Sequence, residues 1–94
     1  MANAEELALI FKMLSVGARV RIIQLLKQRS MCVTALASQL GITHAATSQH
    51  LRVLRNAGLV KFQKRGFHVY YQLDRQKTTQ LNKVTGQLLK VSGK

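Results

Sequence analysis

Ninety-four residues carry fifteen Lys and Arg against three acids, Glu5, Glu6 and Asp74, for a net charge of +12 and a pI near 11.1. A chain of this length holds one core, and an apolar content of 47% excludes a disordered polymer. No Asp or Glu lies between Leu7 and Leu73, so the natural partner is a polyanion, with nucleic acid ahead of an anionic membrane surface.

The chain opens with "MANAEELALIFKML". It has no basic n-region and no cleavage site, and no apolar run in the chain approaches the ~20 residues of a spanning helix. The expected location is the cytoplasm, with no membrane partner. A single cysteine, Cys32, cannot close an intrachain disulfide, which agrees with a reducing compartment. Within residues 4–14, Leu7, Ile10, Phe11 and Leu14 follow the spacing of an amphipathic helix. Glu5 and Glu6 sit in its first turn, at the positive end of the helix dipole.

A second helix is expected over residues 18–28. Its dense apolar set (Val20, Ile22, Ile23, Leu25, Leu26) implies burial, with Arg19, Arg21 and Lys27 on the outer face. A short third helix in "VTALASQLG" turns Leu36 and Leu40 inward and ends at Gly41. Thr43 is placed to cap a fourth helix over residues 44–57 by accepting from a free backbone N–H, and Gly58 stops it.

The period then changes to two. "LVKFQKRGFHVYYQL" puts Val60 and Phe62 on one strand, and Val69, Tyr71 and Leu73 on the next, with Gly66 at the turn. In a last helix over residues 75–91, Leu81, Val84, Leu88 and Val91 form a stripe of coiled-coil type. Small domains are marginally stable, and amphipathic helices at both ends favour a seam with a second copy.

This order of elements is a winged helix-turn-helix, mainly α with a small β-hairpin wing. Its second motif helix lies in the major groove, where a carboxylate would meet phosphate. At about 100° per residue, Thr47, Leu51 and Leu54 form the buried stripe. Ala45, Gln49, Arg52 and Asn56 face outward, with Ser48 and Arg55 on a flank. The first turns carry the candidate base readers: His44, Ala45, Ser48 and Gln49, then Arg52. Gln can pair adenine through both amide groups, Arg can fork onto guanine, and Ala45 leaves room for a thymine methyl. Asn56 falls nearer the backbone or the turn. His50 lies about 60° from the stripe centre; it is either a half-buried histidine bonded to a backbone carbonyl or a phosphate contact. Lys61, Lys64, Arg65 and His68 decorate the hairpin, which can reach a minor groove or the backbone.

No nucleophile–base pair and no Gly-rich phosphate loop is present, and three carboxylates at the chain ends suit no general acid–base site, so no enzyme is expected.

The segments "ARVRIIQLL", "VTALASQLGITHAATSQHLRVLRNAGLV" and "KRGFHVYYQL" resemble ArsR/SmtB-type transcriptional repressors over nearly the whole chain. The runs Ser48-Gln49-His50-Leu51, Leu54-Arg55 and Ala57-Gly58-Leu59-Val60 are the most specific part of the match. The resemblance implies a homodimer, joined through the first and last helices (about residues 4–14 and 75–91). It also implies repression at a palindromic or imperfectly palindromic operator, with release when a metal or other inducer binds.

The inducer sites depart from that pattern. Many members carry Glu-Leu-Cys-Val-Cys-Asp-Leu where this chain has Ser30-Met31-Cys32-Val33-Thr34-Ala35-Leu36. A single thiolate closes no soft-metal site. A second common site pairs Asp and His on the last helix, yet no histidine follows Asp74. No metal or cofactor is expected, and the inducer stays unnamed. Cys32 reads as a small, partly buried residue of a helix start. The alternative is a redox or electrophile sensor acting through an intersubunit bridge, a mixed disulfide or a sulfenic acid.

The expected function is sequence-specific regulation of transcription on double-stranded DNA. The rival is a non-specific architectural DNA-binding protein on the same fold, which the charge and the missing inducer sites favour. The polar, non-basic start of the fourth helix favours the operator.

Overall fold

Side chains close the starts of the first, fourth and fifth helices, and a glycine closes the end of the third. The computed structural model describes residues 3–91; of the single domain expected over residues 1–94, positions 1, 2 and 92–94 lie outside that range. The elements are α1 (Ala4–Leu14), α2 (Gly17–Leu26), β1 (Met31–Cys32), α3 (Val33–Leu40), α4 (His44–Asn56), β2 (Val60–Arg65), β3 (His68–Leu73) and α5 (Arg75–Leu89). The backbone N–H of Glu6 donates to Asn3 Oδ1 (2.8 Å), and the N–H of Asn3 donates to Glu6 Oε1 (3.2 Å), closing a reciprocal cap on α1. Asp74 caps α5 by accepting from the Lys77 N–H at 3.0 Å. All three acids of the chain thus stand at helix N-termini, where they complement the dipole.

Gly41 and Gly58 close the two helices of the helix-turn-helix. Gly41 ends α3 at φ +69°, and Gly58 follows α4 at φ +80°. At Gly58 the next two amides turn back: Gly58 N–H donates to the Arg55 carbonyl (2.9 Å) and Leu59 N–H to the Leu54 carbonyl (3.0 Å). That pattern closes the helix only with a left-handed residue, which costs an L side chain roughly 1–2 kcal/mol.

The core lies where α2, α3 and α4 meet the base of the sheet. Ile22, Leu36, Leu51, Leu54 and Thr47 are fully buried, and Leu26, Leu40, Met31, Leu59 and Val60 pack around them. Each large apolar side chain so buried contributes roughly 1.5–3 kcal/mol. Thr47 is tolerated there because its hydroxyl donates to the Thr43 carbonyl at 2.8 Å.

Several boundaries and faces differ from expectation. The second helix runs from Gly17 to Leu26 rather than over residues 18–28, and only Ile22 and Leu26 in it are buried. Val20 is exposed, and Arg19 is tucked inward instead of lying on the outer face. α4 ends at Asn56, with Ala57 as its cap. In α1 the buried residues are Leu7 and Met13, while Phe11, expected on the inner face, is exposed. α5 stops at Leu89, short of Val91, and buries no residue.

A two-residue strand, β1, carries no period and was not expected. It pairs antiparallel with β3 (Met31 opposite Tyr71, Cys32 opposite Tyr70), giving a three-stranded sheet in the order β1-β3-β2. It ties the entry of α3 to the wing. The Cα radius of gyration is 14.6 Å, with a long axis of 52 Å against 23 Å for the others. A compact chain of this length has about 13 Å, so the protomer is elongated. Leu9, Leu88 and Val91 stand exposed on α1, on α5 and just beyond it. Among the described residues no helix is long and apolar enough to cross a membrane.

Candidate nucleic-acid interface

α4 is anchored at its start by Thr43, whose hydroxyl accepts from the Ala46 N–H at 3.0 Å. Thr47, Leu51 and Leu54 are the buried stripe that the helical period requires. The helix therefore has one orientation on the core, and its opposite side faces solvent. His44, Ala45, Gln49 and Arg52 are exposed, and Ser48 is half-buried. These are the five candidate readers, gathered on the first turns. No acid lies in the first turn, so the positive end of the helix dipole meets no carboxylate of its own helix.

The wing pairs β2 with β3 in the register Val60–Leu73, Phe62–Tyr71, Lys64–Val69 and Lys61–Gln72, Gln63–Tyr70, Arg65–His68. Alternation along the strands divides the four expected wing residues. Lys61, Arg65 and His68 share one face with Gln63 and Tyr70. Lys64 projects from the other face, beyond Phe62. All four are exposed. Arg65 is held along its own face: its guanidinium lies 5.1 Å from the Tyr70 ring centroid, and Nη2 donates to Gln63 Oε1 at 3.4 Å. The tip is Gly66 and Phe67, and the Phe67 side chain is fully exposed.

Outside the apolar core, two side-chain contacts join α4 to its neighbours. On the wing side, the Arg55 guanidinium covers the Phe62 ring at 4.6 Å, and Phe62 meets Tyr71 at 5.8 Å between centroids. On the opposite side, Arg19 Nε donates to His50 Nδ1 at 3.2 Å, and Arg19 Nη1 donates to the Met13 carbonyl at 3.2 Å. Of the two readings of His50, a bond to a backbone carbonyl or a phosphate contact, the first is replaced: its partner within the chain is a guanidinium from α2. The two residues are 31 positions apart, and no local pattern announces the pair. The Arg55 contact was equally unmarked, although an aromatic on the inward face of the first wing strand was a usable cue.

Cys32 is both the second residue of β1 and the N-cap of α3, where it makes no side-chain capping bond. It is half-buried and free. With His44, Phe67 and His68 it lines a cleft of about 360 Å³ between the wing and the starts of α3 and α4. This places the thiol beside the candidate interface, a proximity the sequence did not suggest. Among the described residues no group of three or more His, Cys, Asp or Glu is placed to hold a metal ion.

A family model described as bacterial regulatory protein, arsR family, matches residues 17–61. That span runs from the first residue of α2 into β2. The chain is 39% identical, over 84% of its length, to a cadmium resistance transcriptional regulatory protein CadC homolog of Staphylococcus aureus, covering 66% of that protein. It is 37% identical to an HTH-type transcriptional regulator of Methanocaldococcus jannaschii, covering 79% of this chain and 85% of that one. Among solved structures it is similar to a homodimeric winged helix-turn-helix DNA-binding domain from Mycobacterium bovis. The TM-score is 0.74 and the identity 27%, over 89% of this chain and 78% of that one. Against three of the curated relatives it matches, the chain spans between 54% and 66% of their length.

Proposed function

The chain belongs to the arsR family of bacterial regulatory proteins, and from that premise we propose that it regulates transcription by binding double-stranded DNA. The family consists of transcriptional regulators, not enzymes. The observation that carries the reading is the exposed, acid-free set His44, Ala45, Gln49 and Arg52, with Ser48 beside it, on the first turns of α4. These side chains can donate to and accept from base edges without bringing a carboxylate near phosphate. Lys61, Lys64, Arg65 and His68 supply backbone contacts from the wing, mostly sequence-independent and salt-sensitive.

The acting species is a homodimer in the cytoplasm. α1 and α5 leave Leu9, Leu88 and Leu89 uncovered in one protomer, and a second copy covers them. A two-fold axis then presents two α4 helices about one turn of duplex apart, which calls for a palindromic or imperfectly palindromic operator. The protein represses from that site until a signal of undetermined chemistry releases it.

The rival is sequence-independent coating of DNA, and the net charge of +12 favours it. A competition titration separates the two. The probe is the duplex upstream of the protein's own gene, and the competitor is a scrambled duplex of equal length, at two salt concentrations. A preference of ~10³ or more at the higher salt supports the regulator. A ratio near one at both salts, with a steep fall in affinity, establishes the architectural role.

A further inference from the structure

One polar contact of α4 is left over by the reading above. His50 is half-buried on the flank of the helix, between the core stripe and the outward face. Its Nδ1 accepts from Arg19 Nε at 3.2 Å. Arg keeps its protons at any pH a protein experiences and has no acceptor. Nδ1 must therefore be the bare nitrogen of the ring, and the imidazole proton sits on Nε2. Arg19 is itself fixed, since Nη1 donates to the Met13 carbonyl at the end of α1.

The other end of the ring has no use inside the chain. No described residue bonds Nε2, and no buried side-chain nitrogen or oxygen among the described residues lacks a partner. Nε2–H thus reaches solvent as an oriented donor. Behind it stands the Arg19 cation, half-buried in a stretch of sequence that holds no Asp or Glu from Leu7 to Leu73. A donor backed by a cation is a site for an anion; Glu6, which shares a cleft with Met13 and Val53, is engaged at the α1 cap by the Asn3 N–H. A helix seated in the major groove has sugar–phosphate walls on both sides, and residues on its flank face a wall.

We propose that His50 donates from Nε2 to a phosphate of the bound duplex, in the tautomer that Arg19 imposes. Arg19 is the positioning residue and adds its charge to the same phosphate at longer range. The proposal rests on the DNA-binding reading but not on operator specificity, because a phosphate contact serves any duplex.

Two substitutions separate the ends of the ring. In His50→Asn the amide oxygen can take the place of Nδ1, so the Arg19 bond is kept and the Nε2 donor is lost. In His50→Gln the amide nitrogen reaches the place of Nε2, so the donor is kept and the Arg19 acceptor is displaced. Binding is measured on both the upstream and the scrambled duplex, after melting curves establish that each variant folds.

The expected result is a loss of about tenfold for His50→Asn on both duplexes, the size of one hydrogen bond to a charged group. The salt slope should not change, because a neutral donor displaces no counterion. His50→Gln stays within about threefold of wild type, the scatter of a tolerated change. Arg19→Lys weakens binding in the wild-type background and has little effect in the His50→Gln background, where no tautomer needs fixing.

The reverse order, with His50→Asn normal and His50→Gln weak, overturns the proposal and makes His50 only a brace for Arg19. Equal loss in both, or no loss in either, also overturns it. If wild type binds both duplexes equally, operator specificity fails and the contact can still be read on either. If neither duplex binds, the DNA-binding reading falls and this proposal with it.

Discussion

The guanidinium of Arg55 lies over the ring of Phe62, 4.6 Å from its centroid, and joins the last turn of α4 to the first strand of the wing. Arg55, which helical period places on the flank of α4, is therefore committed to the wing. A contact of this kind contributes roughly 0.5–1 kcal/mol at an exposed site. Phe62→Ala removes it together with the Tyr71 contact. The expected outcome is a loss of about 1–2 kcal/mol in thermal or urea unfolding, and weaker binding to operator and scrambled duplexes alike. Normal DNA affinity in a destabilised variant would mean that the wing needs no bracing to reach its groove.

Gln49→Ala tests the reading face. Gln49 is exposed in the second turn of α4 and makes no bond within the described chain. Its removal should leave stability unchanged and flatten preference at one base position by about 1–3 kcal/mol. The salt slope should stay where it was. A uniform loss on every sequence would identify Gln49 as a phosphate contact.

Much of this was legible before the fold was known, and the reasons are physical. The stripe of Thr47, Leu51 and Leu54 follows from helical period alone, and all three are fully buried. Gly41 and Gly58 marked helix ends because left-handed backbone favours glycine, and both have positive φ. What escaped was either too short to have a period or too far apart to have a pattern. β1 is two residues long. Arg19 and His50 are brought together only by the packing of α2 on α4. The reach of the last helix was overestimated because its stripe continues to Val91, while its hydrogen bonding ends at Leu89.

The split of the wing cations gives a further test. Lys61 shares its face with Arg65 and His68, while Lys64 projects from the other side. If the Lys61 face lies along the duplex, Lys61→Gln lowers the slope of log affinity against log salt by about 0.9. Lys90, at the far end of α5, serves as the control: Lys90→Gln should leave the slope unchanged. Equal slopes for Lys61→Gln and wild type would assign the contact to the opposite face.

Leu88 is 55% exposed in the single protomer, so a charge there has little intrachain packing to destroy. Leu88→Lys should leave the helix content unchanged. In the proposed dimer it places like charges close to the seam, and sedimentation equilibrium should show a dissociation constant raised at least tenfold, or about 1.4 kcal/mol. DNA affinity should fall with it. A variant that remains dimeric at the same concentration would move the seam elsewhere.

The three acids cap helices or line their first turns, and this has a consequence for how the molecule responds to its medium. With the Asp and Glu side chains placed at helix starts, folding gathers the Lys and Arg of residues 3–91 into a body of 14.6 Å radius of gyration with few opposite charges to offset them. Added salt shortens the reach of that self-repulsion, to about 10 Å at 0.1 M, and so steadies the fold. The same salt weakens the proposed grip on DNA. Ionic strength should thus pull the two equilibria in opposite directions, with the free protein melting highest in concentrated salt and the proposed complex gaining most over the free protein in dilute buffer. The duplex then acts as the counterion that the sequence omits, and bound DNA should raise the melting temperature most where the naked chain is weakest.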